Sequence, residues 1–104
     1  MNNQFGLQSE TIHRIQSVFA DFPKIKTAVL YGSRAKGNFK NGSDIDLTLK
    51  TLNNNFPSLI KLDLALDELD LPYTFDLSVY ENINNPDLIE HINRVGVIFY
   101  TKES

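Results

Sequence analysis

Apolar and polar residues alternate along two segments of the chain, 44–50 and 73–80. This two-residue period predicts β-strands that bury one face and leave the other face polar. Two shorter runs, 27–31 and 97–101, are rich in β-branched and aromatic residues, and the first of them stops at Gly32. Runs of this kind, bounded by turn residues, predict two further strands. About four strands are therefore expected.

Three other segments repeat their apolar residues at the spacing of an amphipathic helix. The first helix is predicted to follow Ser9, a capping residue, and to end before Pro23. The second and longest covers 56–69, and the third covers 87–94 and stops at Gly96. The first seven residues have no clear period, and we expect them to fray.

The order of these elements predicts an α+β fold, with a single mixed β-sheet of about four strands and helices packed on one face. A length of 104 residues predicts a single domain over residues 1–104. Hydrophobic residues make up 41% of the chain, with seven Phe and four Tyr, which indicates a folded globule rather than a disordered chain.

The composition also narrows the functional classes. The chain contains no cysteine, which excludes a disulfide framework and a thiolate zinc site. Its net charge of −3 argues against a nonspecific nucleic-acid binder, because such proteins normally carry a basic excess. No apolar run approaches the roughly 18 residues of a membrane helix, and the polar N-terminus does not resemble a signal peptide. We therefore expect a cytoplasmic protein that does not enter a membrane.

Three aspartates lie on the polar faces of two predicted strands. Asp44 and Asp46 are two residues apart on one strand, which places their Cα atoms roughly 6.5–7 Å apart, and Asp76 lies on the polar face of another strand. If the two strands are neighbours, the three carboxylates converge and could bracket two hard cations. A donor set of oxygen atoms alone favours Mg²⁺ or Mn²⁺ over Zn²⁺. The alternative is three solvated aspartates on the wet face of a half-exposed sheet, although aspartate is a poor strand former.

A glycine and a serine follow the strand predicted at 27–31. Gly32 would let a phosphate approach the backbone, and Ser33 could donate its hydroxyl and its N–H group to that phosphate. Arg34 or Lys36 would supply positive charge. Taken alone, the same residues fit an ordinary tight turn, so their interpretation depends on the nearby carboxylates.

The remaining polar and aromatic candidates have structural explanations. His13, His91 and Arg94 are expected on exposed helix surfaces, the latter two solvated or part of a partner interface, and Tyr31 is expected in the core. The long helix carries an acidic stripe, which is either a solvent-exposed face or a surface for a basic partner. The acidic residues of this stripe and of the turn that follows it are Asp63, Asp67, Glu68 and Asp70.

The composite pattern of Gly32–Ser33, ten intervening residues and Asp44–Ile45–Asp46 resembles the signature of the DNA polymerase beta-type nucleotidyltransferase superfamily. Its minimal single-domain members, the MNT proteins, are about this long. In that family the first two aspartates bind both metal ions, and the third completes the site and helps to activate the attacking hydroxyl. The resemblance therefore assigns metal binding and catalysis to Asp44, Asp46 and Asp76. It assigns the β- and γ-phosphates of the incoming nucleotide to Gly32 and Ser33.

Two positions depart from the family pattern. Lys36 stands where arginine is frequent, which keeps the charge. Val95 stands where an acidic residue often precedes the late glycine, and this difference touches no catalytic position.

The resemblance implies a metal-dependent transfer of a nucleoside monophosphate, AMP from ATP, to an acceptor hydroxyl. Minimal members resemble the antitoxin half of two-gene systems, in which the transferase adds AMP to a tyrosine of a small all-helical HEPN ribonuclease toxin. This implies a HEPN-type partner encoded nearby. Two alternatives stay open: a catalytically degenerate module that inhibits or scaffolds its partner, and a transferase for a small-molecule hydroxyl. The sequence does not determine the preferred nucleotide or whether the protein forms a homo-oligomer.

Overall fold

The protein is described by a computed structural model that covers residues 3–40, 42–52 and 57–102. Its helices and strands alternate around one central sheet. In chain order the elements are β1 (Asn3–Gln4), β2 (Leu7–Gln8), α1 (Ser9–Ala20), β3 (Ile25–Tyr31), α2 (Ser33–Lys36), β4 (Ile45–Thr51), α3 (Leu59–Asp67), β5 (Phe75–Val79), a 3₁₀ turn (Tyr80–Asn82), α4 (Pro86–Val95) and β6 (Val97–Thr101).

The central sheet has four strands in the order β5-β4-β3-β6. Strand β3 pairs antiparallel with β4 and with β6, whereas β4 and β5 are parallel. The predicted mixed sheet of an α+β fold is therefore confirmed. The connection between the parallel strands carries α3, as a parallel pair requires a crossover.

One face of the sheet carries the main hydrophobic core, and α1 and α3 cover it. Leu30 of β3 and Leu47 of β4 are register partners and are fully buried on this face. Alternation along the strands places apolar residues toward these helices and polar residues on the opposite face. The main core consists of Leu7, Ile12, Ile15, Val18, Phe19, Ile25, Ala28, Leu30, Ile45, Leu47, Leu49, Leu62, Leu66 and Phe99.

Helix α4 packs on the other face, which differs from the predicted placement of all helices on one side. Its Ile92 is buried against Val29 and Tyr31, whose side chains lie on the face opposite to the main core. The helix begins with a proline at its first turn, and the Asn85 side chain accepts a hydrogen bond from the Asp87 N–H at 2.9 Å. A second, smaller core can form there because β3 is apolar on both faces.

Residues 3–8 form a short hairpin, although we expected the first seven residues to fray; residues 1 and 2 lie outside the described residues. Strands β1 and β2 have two residues each, and the side chain of Leu7 is fully buried in the main core. The backbone carbonyl of Phe5 in the hairpin turn accepts a hydrogen bond from Arg34. Contacts distant in sequence hold this segment, so the local pattern could not reveal it.

The helix boundaries agree with the predictions to within a few residues. Helix α1 begins at Ser9 itself, with Gln8 in the N-cap position. Helix α3 begins at Leu59 and is capped by the Ser58 side chain, whereas the predicted start at residue 56 lies outside the described residues. No helix in the described part of the chain has both the length and the apolar character of a membrane span.

Candidate active site

The register of the sheet brings two of the three predicted carboxylates side by side. Asp46 of β4 is the direct partner of Asp76 on the parallel strand β5. Neighbouring strands lie about 4.8 Å apart, and partners in register point to the same face. Asp44 is exposed and lies immediately before the first residue of β4. All three carboxylates therefore belong to the end of the polar face where β4 and β5 begin.

Asp46 occupies the most constrained position of the three. Burial raises the pKa of its carboxyl group above the ordinary value, and the negative charges of Asp76 and Asp44 raise it further. The positive charges of Arg34 and His91 partly oppose this effect. The three aspartates are thus close enough to repel one another, and a cation between them would relieve the repulsion.

The three carboxylates are close to one another, but their side chains are not oriented to bind a single metal ion. Within residues 3–40, 42–52 and 57–102, no three acidic, histidine or cysteine side chains are arranged to hold a metal ion. Asp44 and Asp76 are exposed, and their side chains can adopt other rotamers. The chemistry of the donor set, three carboxylates without nitrogen or sulfur, fits Mg²⁺ or Mn²⁺.

The glycine–serine turn lies directly against Asp46. Gly32 has φ 78° and ψ −155°, a backbone conformation that is essentially restricted to glycine. A Cβ atom at this position would collide with Oδ2 of Asp46. Ser33 follows as the first residue of the short helix α2, whose Lys36 N–H bonds to the Gly32 carbonyl at 3.1 Å. The turn and the carboxylate therefore form one continuous site.

Replacing Gly32 by alanine is expected to damage both the fold and the site. The strained backbone should cost about 1–3 kcal/mol of stability, and the new Cβ atom must displace the Asp46 carboxylate. Gly37→Ala is the matched control, because Gly37 also has a positive φ, 90°, but has open space where the alanine methyl group would lie. Thermal melts should show a loss in both variants, whereas calorimetry should show weakened nucleotide binding only for Gly32→Ala. Equal nucleotide affinity in the two variants would show that the close approach of Gly32 to Asp46 is not needed for nucleotide binding.

Arg34 makes contacts that differ from its predicted role beside a phosphate. Its side chain is only 3% exposed. Nε and Nη2 donate to the Ser43 carbonyl at 3.1 and 2.9 Å, and Nη1 donates to the Phe5 carbonyl at 2.8 Å. The guanidinium also lies over the rings of Phe39 and Tyr73, 5.2 and 5.0 Å from their centroids. Through these contacts Arg34 joins the N-terminal hairpin to Ser43, the residue that precedes Asp44.

Lys36 is placed differently from Arg34. It is exposed at the end of α2, one helical turn after Gly32. Of the two basic residues predicted to contact phosphate, Lys36 is therefore the one with an accessible charge.

The floor of the site consists of residues that the sequence did not single out for function. Tyr31 is the register partner of Asp46, and its hydroxyl group lies near Ser78. Burial raises the pKa of Tyr31, the neighbouring Ser78 hydroxyl lowers it, and the negative charges of Asp76 and Asp46 add to the rise. Ser78 Oγ donates a hydrogen bond to Oγ1 of the fully buried Thr48 at 2.9 Å. The alternation that located Asp46 and Asp76 also places these hydroxyls on the same face.

His91 lies nearer to the site than the sequence suggested. Its ring packs edge-on against Tyr31, with 6.2 Å between the ring centroids, and it is half-buried. We expected His91 on the outer face of the helix, solvated or part of a partner interface; it instead faces Tyr31, because α4 packs on the polar face of the sheet. Arg94 is exposed and pairs with Glu90 at 3.0 Å, in agreement with its predicted surface position.

Comparison with known proteins links this arrangement to one family. The family model for polymerase beta nucleotidyltransferases matches residues 13–104. A protein of Methanocaldococcus jannaschii, named as a protein adenylyltransferase, is 30% identical over 79 residues, which cover 74% of this chain and 79% of the relative. MntA of Haemophilus influenzae, also named as a protein adenylyltransferase, is 30% identical over 101 residues, which cover 96% of this chain and 88% of MntA.

Solved structures share the fold. A crystal structure of a toxin–antitoxin with AMP-PNP matches with a TM-score of 0.69 and 21% identity, covering 88% of this chain and 74% of the other. A complex of the tri-AMPylated Shewanella oneidensis HEPN toxin with an MNT antitoxin matches with a TM-score of 0.66 and 19% identity, covering 92% and 74%. At these identities the structures support the fold alone. The family match and the sequence relatives show that this chain belongs to the polymerase beta nucleotidyltransferase family and is an enzyme of that class.

Proposed function

We propose that this protein transfers AMP from ATP to a tyrosine hydroxyl of a HEPN-type partner and thereby acts as the antitoxin of a toxin–antitoxin pair. The observation that carries the proposal is the position of Asp46, which pairs in register with Asp76 and lies against Gly32, so that two carboxylates adjoin the glycine–serine turn. The names of the relatives, protein adenylyltransferases, support AMP as the transferred group. The AMPylated toxin in the Shewanella complex supports a HEPN protein as acceptor.

The carboxylates are proposed to bind the metal ions. Asp44, Asp46 and Asp76 would hold Mg²⁺, with Mn²⁺ as a substitute, after rotation of the two exposed side chains. When bound, the cations neutralise charge that develops on the reacting phosphates. Asp76 lies on β5, an edge strand, and we assign to it the orientation of the acceptor hydroxyl.

The glycine–serine turn is proposed to bind the triphosphate. Gly32 has no side chain, which leaves its backbone accessible to a phosphate, and Ser33 can donate its N–H and hydroxyl groups. Lys36 adds an accessible positive charge at the end of α2. In the reaction the tyrosine oxygen attacks the α-phosphorus while its proton passes to the Asp76 carboxylate, the bond from this phosphorus to the β-phosphate oxygen breaks, and pyrophosphate leaves.

The charge of the molecule favours a protein acceptor over a nucleic acid. The net charge is −3, whereas proteins that bind nucleic acids nonspecifically carry a basic excess. We place the reaction in the cytoplasm, which supplies ATP and Mg²⁺.

Intact-mass spectrometry tests the proposal directly. The protein is incubated with ATP, Mg²⁺ and the small helical protein encoded beside it, with a parallel sample in EDTA. We expect the partner to gain about 329 Da for each AMP group, and fragmentation to locate the group on tyrosine. The EDTA sample should show no gain, because unneutralised carboxylates repel the triphosphate.

Three outcomes would contradict parts of this proposal. A tight complex without any gain in mass would favour the noncatalytic binding module. Equal transfer in EDTA would exclude a metal requirement. AMP attached to serine or threonine would exclude tyrosine as the acceptor.

A further inference from the structure

Helix α3 exposes two large apolar side chains on its outer face. Ile60 is 76% exposed and Leu64 is 58% exposed, and they lie one helical turn apart. The buried side of the same helix is formed by Leu62 and Leu66. Exposed apolar residues that recur with the period of the helix form a stripe, which is more informative than isolated surface residues.

Acidic residues lie beside this apolar stripe. Asp63 and Asp67 are exposed and are also one turn apart. Among the residues that the structure describes, neither makes an ion pair within 4 Å; the pair found there is Arg94–Glu90. The outer face of α3 therefore presents two apolar side chains next to two carboxylates without a cationic partner in the described chain.

A groove runs from this face of α3 to the edge strand β5, which carries Asp76. One cleft of 340 Å³ runs between the helix and strand β5, and Ile60, Asp63 and Asp76 are among the residues that line it. A second cleft of 170 Å³ continues along the same junction and shares Asp63 and Phe75 with the first. Strand β5 is at the edge of the sheet, so the groove ends beside the catalytic candidate Asp76 without an intervening strand.

We propose that the outer face of α3 and the groove between α3 and β5 are the docking surface for the acceptor protein, which contributes a basic amphipathic helix. This inference rests on the proposed function for the nature of the acceptor. The apolar side of the incoming helix would cover Ile60 and Leu64, and its lysines or arginines would face Asp63 and Asp67. A helix matches these residues because both pairs are spaced by one turn.

The position of the groove explains how one surface serves both binding and transfer. The Asp76 side chain lies on the sheet face opposite to α3, so an acceptor held against α3 would place an adjacent tyrosine next to Asp76 by reaching around the open edge of β5. A second copy of this chain is a poorer occupant, since two such acidic surfaces would repel each other. The basic character of the docked helix thus follows from the charge of the surface, and its location follows from the groove.

Binding and transfer are measured separately to test this inference. Two double variants of this protein are made. The first combines Ile60→Ser and Leu64→Ser, and the second combines Asp63→Lys and Asp67→Lys. The control variants are Ile98→Ser on the opposite edge strand, where Ile98 is 65% exposed, and Asp21→Lys at the end of α1. The probe is the HEPN-type protein encoded beside this chain, titrated by calorimetry, and a nonhydrolysable ATP analogue reports on the active site.

We expect both α3 variants to weaken binding of the HEPN-type protein at least tenfold and to raise KM for it while kcat changes little. Their affinity for the ATP analogue should be unchanged, and the control variants should bind the partner as the wild type does. Wild-type partner affinity in both α3 variants would overturn the inference, as would an equal loss in Ile98→Ser. The absence of any complex with the wild type would also overturn it.

Two further outcomes separate this inference from the proposed function. If the wild type binds the partner but transfers no AMP, the proposed reaction fails while the affinities still test the docking surface. If sedimentation shows that the wild type forms a homodimer which Ile60→Ser with Leu64→Ser dissociates, the surface is a self-interface and the inference is wrong.

Discussion

Asp46→Asn is expected to abolish nucleotidyl transfer while leaving the protein folded and at least as stable as the wild type. A neutral amide cannot replace a carboxylate that binds cations. Mutation of residues that merely hydrogen-bond to a metal ligand lowers activity by about 10–100-fold, so loss of the ligand itself should lower the transfer rate by more than about 100-fold. In the metal-free protein the substitution removes a charge that burial and two neighbouring aspartates disfavour. The melting temperature should therefore stay equal or rise.

The sign of this stability effect depends on pH. Because the pKa of Asp46 is raised above its ordinary value of 3.8, its ionised form destabilises the folded state. This loss of folding free energy is complete at pH values above the raised pKa. It shrinks as the pH falls from the raised pKa to the ordinary value of 3.8, and it is absent below that value. The variant's advantage should thus be largest at neutral pH and vanish in acid.

Thermal melts at neutral and acid pH, together with transfer assays, check this expectation. Asp21→Asn, at the exposed end of α1, serves as the control and should retain transfer. A melting temperature for Asp46→Asn several degrees below that of the wild type at neutral pH would instead mark Asp46 as structural.

Arg34→Ala is expected to cause the largest loss of stability, roughly 3–6 kcal/mol, because two backbone carbonyls, of Phe5 and Ser43, lose charge-assisted hydrogen bonding that contributes about 1.5–3 kcal/mol at each. The guanidinium also loses its contacts with the rings of Phe39 and Tyr73. Since natural domains are stable by only about 5–15 kcal/mol, this loss is a large share of the total. Urea unfolding would measure it.

Two other substitutions separate structure from phosphate binding. Arg34→Lys keeps the charge, but one ammonium group cannot bond to the Phe5 and Ser43 carbonyls as a guanidinium does, so most of the loss should remain. Lys36→Ala should leave stability unchanged and weaken ATP binding. If Arg34→Lys is as stable as the wild type but binds ATP poorly, Arg34 contacts phosphate as the sequence predicted.

The strands could be predicted because their pattern is local. Strand β4 was expected at 44–50 and is found at Ile45–Thr51, and the last strand was placed correctly at Val97–Thr101. The sequence predicted that Asp46 and Asp76 are close only if their two strands are neighbours, because strand order depends on contacts between distant segments. Strands β4 and β5 are neighbours, and they pair in parallel with Asp46 opposite Asp76.

The contacts of Arg34 and the N-terminal hairpin could not be predicted. The carbonyl that Arg34 Nη1 reaches belongs to Phe5, 29 residues earlier in the chain. Phe5 itself has a positive φ of 59°, a conformation that its residue type does not suggest. No local period reports such a contact, so the sequence suggested a positive charge beside the phosphate at Arg34 or Lys36 but could not suggest the hydrogen bonds of Arg34.

His91 was misplaced for a different reason. An amphipathic helix is usually assigned one apolar side that faces the core and one polar side that faces solvent. Helix α4 instead packs on the polar face of the sheet, where Ile92 meets Val29 and Tyr31. His91, next to Ile92 in the chain, therefore packs against Tyr31 at the candidate site instead of pointing into solvent. The roles of the site residues themselves stay predictions that the experiments above can test.

The register of β4 also determines where the length of the chain can vary. Asp46 and Leu47 are consecutive residues on opposite faces of the strand, one at the site and one in the main core. A single inserted or deleted residue within β4 would exchange the two faces, and the carboxylates and the core would be lost together. Residues 37–40 and Gly42 lie outside the strand pairing, whereas the Ser43 carbonyl accepts hydrogen bonds from Arg34. Insertions and deletions among natural variants should therefore accumulate between Gly37 and Gly42 and stop at Ser43.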